Sequence, residues 1–205
     1  MKKNIFKIIA VVLLFLVGFY VWHVHFNFRF EEISKGKVYK SALISPDKLD
    51  YFLVDNKIKT VVDLLDAGIQ DDLNPAKQAE IDAEDSAIKA INKKYSLSIK
   101  HVNIPSGQVP SKENLKKFYE VLDDKSNYPV LIHCYHGTGR AQIYSAIYRL
   151  EYENWKNEDA RAKTRFIVEG FGYRSSFADG KGKGDFLMHY KPRSSGKEST
   201  FNSLK

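Results

Sequence analysis

The sequence predicts an α/β fold with a single central, mostly parallel sheet and helices on both of its faces. Short apolar runs alternate with segments of helical periodicity along most of the chain. The strongest run, residues 130–132, follows a proline and is typical of a buried strand. Ile143, Ala146, Ile147 and Leu150 follow it at helical spacing. In such folds ligands bind at the carboxyl ends of the strands, so we expect a site directly after residue 133.

The elements that come first are a short strand, a helix and a second strand. Residues 37–39 are expected to form an edge strand. Ser45 and Pro46 fit the N-cap and the first position of a helix. Residues 59–64 are typical of a buried strand that would lie inside the sheet.

Three more helices and one more strand are predicted around the site. Residues 77–94 are expected to form a helix whose acids lie on a solvated face. Residues 99–104 alternate like a strand, with His101 facing solvent. Ser111 is expected to cap a helix with an apolar inner face, and a further helix is predicted over residues 155–168.

The amino terminus has two possible interpretations. Three lysines precede residues 8–22, which are uncharged and mostly apolar, as in a secretory signal peptide. The residues after Trp22 are too large for the cleavage site of such a peptide. Residues 5–24 nearly reach the ~20 residues that cross a bilayer, and Tyr20 and Trp22 suit its interface. We therefore prefer an uncleaved signal anchor, with cleavage and export as the alternative.

Composition leaves room for one domain of average size beside this anchor. The chain has 205 residues, a net charge of +7 and one cysteine, so no internal disulfide is possible. Residues 161–205 carry ten Lys or Arg and four acids. Such a basic tail is expected to be solvated and disordered at its end, although it would also suit anionic lipid. The expected divisions are an anchor over 1–28, a linker over 29–36, a domain over 37–173 and a Gly/Ser/Lys-rich tail over 174–205.

Cys134 ends the strand of the central motif, and Arg140 begins the helix that follows. The backbone amides of a tight loop and of a helix N-terminus together bind anions. Arg140 offers a planar fork for two phosphate oxygens. The same positive field favours a nucleophilic thiolate, although a lone cysteine after a strand is often only a small hydrophobe. The predicted phosphate-binding loop comprises Tyr135, His136, Gly137, Thr138, Gly139 and Arg140, with the two glycines freeing its backbone.

The sequence of residues 133–140, His-Cys-Tyr-His-Gly-Thr-Gly-Arg, resembles the His-Cys-x5-Arg motif of cysteine-dependent protein tyrosine phosphatases. Residues 36–172 are similar to the small bacterial dual-specificity branch of that superfamily. The resemblance implies a phosphotyrosine phosphatase-like fold and metal-independent hydrolysis through a phosphocysteine. It implies that Cys134 attacks phosphorus, that Arg140 holds the phosphate and that His133 holds the loop. The implied partner is a phosphorylated protein or peptide, with phosphotyrosine favoured.

Two departures from the family pattern affect this expectation. The family carries an aspartate about thirty residues before the cysteine that protonates the leaving oxygen, but residues 86–112 contain no acid. Asn103 and Ser106 occupy that region instead. The substitute acids that the sequence offers are Asp66, Asp71, Asp72 and His136. The second departure is Ala141, where the family has Ser or Thr, and it predicts slower breakdown of the phosphocysteine.

Two other functions remain open from the sequence. The anchor and the basic tail would also suit a phosphoinositide or lipid phosphatase, and the two departures would suit a weak pseudo-phosphatase that binds phosphorylated partners. No Walker or dinucleotide glycine pattern occurs, and His, Cys and carboxylates do not meet at metal-ligand spacing, so no cofactor or metal is expected. We expect no nucleic-acid partner, a monomeric catalytic domain, and a single-pass protein of the bacterial inner membrane with a periplasmic domain.

Overall fold

A five-stranded sheet organises the part of the chain that the computed structural model describes, residues 2–69 and 75–193. The strand order is β1-β2-β5-β3-β4. β1 is antiparallel to β2, and the other neighbours are parallel. The strands are β1 Glu31–Ser34, β2 Val38–Ala42, β3 Thr60–Asp63, β4 Lys100–Asn103 and β5 Val130–Cys134. The predicted α/β fold with a mostly parallel central sheet is thus confirmed.

Helices cover both faces of the sheet. The helices of the described chain are α1 Lys2–His25, α2 Leu49–Asp55, α3 Gln78–Tyr95, α4 Lys112–Asp123, α5 Arg140–Tyr152, α6 Asn157–Gly170 and α7 Gly182–His189, with a short 3-10 turn at Lys125–Asn127. α2 and α3 pack on one face, and α4 to α7 pack on the other.

The central strand β5 divides its side chains between the two apolar cores. Val130, Ile132 and Cys134 belong to the core beneath α4 to α7. Leu131 belongs to the core beneath α2 and α3. Because side chains alternate along a strand, His133 lies on the same side as Leu131. Neighbouring residues at the end of β5 therefore face different halves of the domain.

Several local predictions hold. Ser111 caps α4, since its side-chain oxygen accepts a hydrogen bond from the amide of Asn114 at 3.1 Å. α5 begins at Arg140, directly after the glycine-containing loop. The predicted strands at 59–64 and 99–104 correspond to β3 and β4, each within two residues at either end.

The region expected to be a linker contains a strand. β1 lies within residues 29–36 and pairs with β2, so β2 is an inner strand rather than the predicted edge. The prediction missed β1 because its sequence, Glu-Glu-Ile-Ser, lacks the apolar character of a buried strand. α2 begins three residues later than expected, with Lys48 rather than Ser45 in front of it.

Part of the segment expected to be a tail, residues 174–205, is folded. This part packs against the domain: Phe177 and Leu187 are buried in the core beneath α4 to α7. The main chain is close-packed here, since a Cβ on Gly184 would come within 2.2 Å of the carbonyl oxygen of Ala178. The prediction missed this packing because the two apolar residues that attach α7 to the core lie in a segment rich in Gly and Lys. The predicted disorder at the chain end falls almost entirely outside the described residues.

The apolar helix α1 is covered by no other part of the described chain. Its segment Ile5–His25 is long and apolar enough to cross a membrane, and none of its most apolar window is buried. Length and composition alone do not separate a permanent anchor from a signal sequence.

Candidate active site

Cys134 lies at the carboxyl end of β5, where the predicted phosphate-binding loop begins. Its side chain is buried, with an exposed fraction of 3%. The amide of Ala141, in the first turn of α5, lies 3.4 Å from the Cys134 sulfur and points at it. The sulfur thus lies at the positive end of α5, where a negative charge is stabilised.

The loop is held against the end of β2. Gly137 has a φ of +69°, and a Cβ there would come within 2.6 Å of the Ala42 amide nitrogen, so only glycine fits. The Leu43 amide donates to the Tyr135 carbonyl at 3.2 Å. Gly139 has a φ of −114° and a ψ of −89°, so it is not in the left-handed region. A Cβ on Gly139 would instead approach Lys183 Nζ to 3.1 Å, which shows how closely α7 approaches the loop.

Two arginines fix the loop from different sides. The Arg140 side chain is 2% exposed, and its Nη1 donates to the Leu64 carbonyl at 3.0 Å. This bond orients the guanidinium at the carboxyl ends of β3 and β5. Arg29, from the segment after α1, donates through Nη1 to the carbonyl of His136 at 2.9 Å. His136 is exposed and Thr138 is partly buried, so both lie at the opening of the loop.

His133 belongs to a buried charged cluster on the other face of the sheet. Its Nε2 lies 2.9 Å from Glu84 Oε2 and 3.7 Å from Asp63 Oδ1. His101 Nε2 contacts the same Glu84 oxygen at 3.1 Å. Glu84 comes from α3, Asp63 from β3 and His101 from β4. We name these four residues, Asp63, Glu84, His101 and His133, the buried charged cluster.

The charges of this cluster stabilise one another. Burial favours a neutral Glu84, but the charges and hydrogen bonds of His133 and His101 outweigh it and hold the pKa of Glu84 at about 2. Burial disfavours a charged His101, yet its bonds to Asp63 and Glu84 raise the pKa of His101 to about 10. The carboxylates likewise raise the pKa of His133 against the effect of burial. A positive imidazole therefore lies directly before Cys134 in the chain.

The structure corrects three expectations at this cluster. Glu84 is 2% exposed, although the acids of its helix were expected on a solvated face. The His101 side chain is 7% exposed and does not face solvent. Ligand atoms of Asp63, Glu84 and His101 lie within 4.8 Å of one another, so His and carboxylates do meet at metal-ligand spacing. Chain spacing missed this, because the residues come from separate elements.

The segment in which the family resemblance led us to expect a general acid is used here for structure. Asn103 Nδ2 donates to Asp63 Oδ2 at 2.9 Å and to the Leu65 carbonyl at 3.0 Å. Ser106 Oγ accepts from the Tyr144 hydroxyl at 3.0 Å. Both residues therefore tie their segment to its neighbours.

Of the candidate acids, Asp66 lies in the loop after β3, partly buried, and accepts from the Gly68 amide at 2.9 Å. Asp71 and Asp72 lie outside the described residues. The loop after β3 starts from the carboxyl end of a strand that neighbours β5, which is the edge that carries Cys134.

Comparison with known proteins agrees with this arrangement. Residues 31–176 match the family model described as DSP-PTPase phosphatase fused to NAD+ kinase. The match covers most of the chain, and the chain belongs to this family within the cysteine-dependent tyrosine and dual-specificity phosphatase superfamily. It is accordingly a phosphatase by family, a class of hydrolase. No curated protein matches the sequence.

Solved structures share the fold at low sequence identity. The core catalytic domain of the PP-IP phosphatase Siw14 from S. cerevisiae has 18% identity and a TM-score of 0.56, over 86% of this chain and 94% of that one. TpbA from P. aeruginosa has 20% identity and a TM-score of 0.55, over 86% and 92%. PTPMT1 has 17% identity and a TM-score of 0.52, over 85% and 98%. TpbA has also been solved in complex with pTyr.

Proposed function

We propose that the protein hydrolyses phosphate monoesters through a phosphocysteine at Cys134. The observation that carries this proposal is the position of the Cys134 sulfur, 3.4 Å from an amide in the first turn of α5. A phosphate bound there meets the loop amides, the helix N-terminus and Arg140 together. The family of the chain supports the same reaction.

The reaction takes two displacements at phosphorus. The Cys134 thiolate attacks in line, so an S–P bond forms as the bond to the leaving oxygen breaks. The loop amides of residues 135–140 and Arg140 stabilise the equatorial oxygens. Water then attacks phosphorus, and sulfur departs as thiolate with release of inorganic phosphate. Neither step uses a metal ion, so we expect activity to survive a chelator.

Phosphotyrosine is the substrate class that we favour. General acid catalysis is worth about 10²–10⁴-fold, and an alkoxide leaving group needs it more than a phenolate does. The segment that would supply the acid is occupied by Asn103 and Ser106, whose side chains bond to neighbouring protein groups. A phenolic ester such as phosphotyrosine depends least on the missing group. We propose Asp66 as the residual acid, which predicts that Asp66→Asn slows alkyl phosphates more than aryl phosphates.

The test is turnover of an aryl phosphate by the full chain in detergent micelles. Cys134→Ser should lose all turnover, because a hydroxyl in its place is not ionised at neutral pH. Leu97→Ser, an exposed position on the α3–β4 connection, is the control and should keep wild-type activity. Turnover by Cys134→Ser equal to that of the wild type would exclude the mechanism. A folded but inactive wild type that still binds phosphotyrosine peptide would favour a pseudo-phosphatase.

We further propose that α1 is a permanent single-pass anchor with the domain on the exported, periplasmic side of an inner membrane. The three lysines before the apolar segment resemble the start of an exported protein. The contact between Arg29 and the loop gives the residues that follow α1 a structural role that cleavage would remove or loosen. Protease added to intact spheroplasts should digest the domain. Full protection of the domain from the protease would place it on the cytoplasmic side of the membrane instead.

A further inference from the structure

The chain that leaves α1 is docked on the catalytic loop. The Phe28 carbonyl accepts from the Ala42 amide at 2.7 Å, and Ala42 lies opposite Cys134 in the sheet. The next residue, Arg29, bonds to the His136 carbonyl inside the loop. The Phe28 ring packs edge-on against Phe52, with ring centroids 5.8 Å apart. The exit from the membrane segment is thus a fixed part of the domain.

This docking leaves little room between the bilayer and the site. α1 ends at His25, four residues before Arg29. Four residues of extended chain span at most about 14 Å. If α1 crosses the membrane, the catalytic loop must lie close to the membrane surface.

The exposed apolar side chains of the domain are concentrated at the same edge. Phe26 follows α1, Ile69 follows β3 and Val109 follows β4, and their exposed fractions are 68%, 52% and 37%. Phe171 and Tyr173, which are 78% and 71% exposed, lie between the end of α6 and α7. α7 starts at this edge, since its Lys183 adjoins Gly139 in the catalytic loop.

We name Phe26, Ile69, Val109, Phe171 and Tyr173 the apolar rim. Exposed aromatic and aliphatic side chains grouped at one edge are typical of a surface that meets lipid. Of the described residues outside α1 and the rim, Tyr51, Tyr95 and Leu97 are the other large exposed apolar ones. Tyr95 bonds to Asp50 at the far end of α3, away from the loop.

We propose that the apolar rim rests on the lipid surface and that the catalytic loop opens toward it. The substrates are then phosphotyrosines held close to a bilayer, in membrane-bound proteins. This substrate class rests on the proposed phosphatase activity, whereas the docking of the rim on lipid rests only on the proposed membrane anchor. A domain on a long flexible tether could act on phosphotyrosines far from the membrane surface, whereas the short connection to α1 holds this domain near that surface.

The kinetic test uses the full chain in vesicles of phosphatidylcholine and phosphatidylglycerol. One phosphotyrosine peptide is attached to the same vesicles by a palmitoyl chain, through either a short or a long Gly/Ser spacer. Both forms are equally concentrated at the membrane, so co-localisation alone does not distinguish them. We expect several-fold faster hydrolysis of the short-spacer peptide.

A Gly/Ser insertion between His25 and Phe26 is the matched variant. It keeps every residue of the domain and lengthens the tether, so the spacer preference should disappear while soluble aryl phosphate turnover is unchanged. Equal wild-type rates on the two spacers would overturn the membrane-proximal substrate. Faster hydrolysis of phosphatidic acid in the same vesicles than of the short-spacer peptide would overturn the phosphotyrosine assignment.

A spectroscopic test is independent of activity. The chain has two tryptophans, Trp22 and Trp155, which are replaced by Phe. In that background, Tyr173→Trp should be quenched by brominated lipid, and Leu97→Trp at the far edge should not. Equal quenching of both probes, or of neither, would overturn the docking. Absence of aryl phosphate turnover by the wild-type chain, with Tyr173→Trp still quenched, would overturn the proposed function and leave the docking in place.

Discussion

His133 and Cys134 are neighbours in the chain, but they lie in chemically different halves of the domain. On the Cys134 side, the Ala141 amide at the start of α5 points at the sulfur, and Arg140 is oriented by the Leu64 carbonyl. We propose that this side binds an anion. On the His133 side, two carboxylates and two imidazoles compensate one another beneath the sheet. Under the proposed function, phosphate binding and support of the phosphate-binding loop are assigned to different residues. The two sides should therefore respond differently to substitution.

The largest effect is expected from Arg140→Lys on the Cys134 side. Lysine keeps the charge but loses the fork that binds two oxygens at once. Loss of one preorganised donor to a transition state costs about 10²–10³-fold, and we expect a fall of that size in kcat/KM for an aryl phosphate. The melting temperature should change little. Unchanged kcat/KM would remove Arg140 from the reaction.

Glu84→Gln should destabilise the domain by disrupting the buried charged cluster on the His133 side. It removes one carboxylate from a buried set of charges, which typically costs about 3–5 kcal/mol of stability. Denaturant unfolding in micelles measures this loss. Asp82→Asn, an exposed acid two residues earlier on α3, is the control and should cost almost nothing. If the two variants were equally stable, the cluster would not support the loop.

A change of pH is expected to have a smaller effect on the free energy of unfolding. The pKa of His101 is raised from 6.5 to about 10, so the stability from its charge is complete below pH 6.5 and is lost as the pH rises through about 10. The pKa of Glu84 is lowered to about 2, so its contribution is present above pH 4.5 and is lost as the pH falls toward 2. The free energy of unfolding should be highest between these limits. His101→Gln should flatten the alkaline decline, and an unchanged decline would contradict the assignment.

The smallest effect on activity is expected from Ala141→Ser on the Cys134 side. Its amide already points at the sulfur, and a serine there would add a hydroxyl. A hydrogen bond to a charged group is worth about 1.5 kcal/mol, or roughly tenfold in rate. Ala141→Ser should therefore raise the rate of phosphocysteine breakdown about tenfold and shrink the initial burst of product. A burst that is unaltered would show that breakdown is not limiting.

The sequence predicted the Cys134 side better than the His133 side, because only the Cys134 side is built from consecutive residues. The Cys134 side is made of consecutive residues, so one motif predicted the loop, the start of α5 and the need for glycine at 137. The approach of Lys183 from α7 to Gly139 is a contact that no local pattern contains.

The buried charged cluster was not predicted, because its members come from four elements that only the sheet register brings together. Val61 and Val62 gave β3 an apolar pattern, but they did not indicate that Asp63 would meet His133 in the neighbouring strand. The strand β1 and the attachment of α7 were missed for a related reason. Each depends on one or two apolar residues within a polar stretch, which is too weak a pattern without the surface on which they pack.

The most direct test of the central claim is mass spectrometry of the full chain, quenched during turnover of an aryl phosphate. The account predicts a phosphoryl group on the peptide that contains Cys134, formed before the steady state and absent from Cys134→Ser. Because we expect Ala141 to slow breakdown of the intermediate, a large fraction of the enzyme should carry it. Sustained turnover with Cys134 unmodified at every quench time would contradict the account.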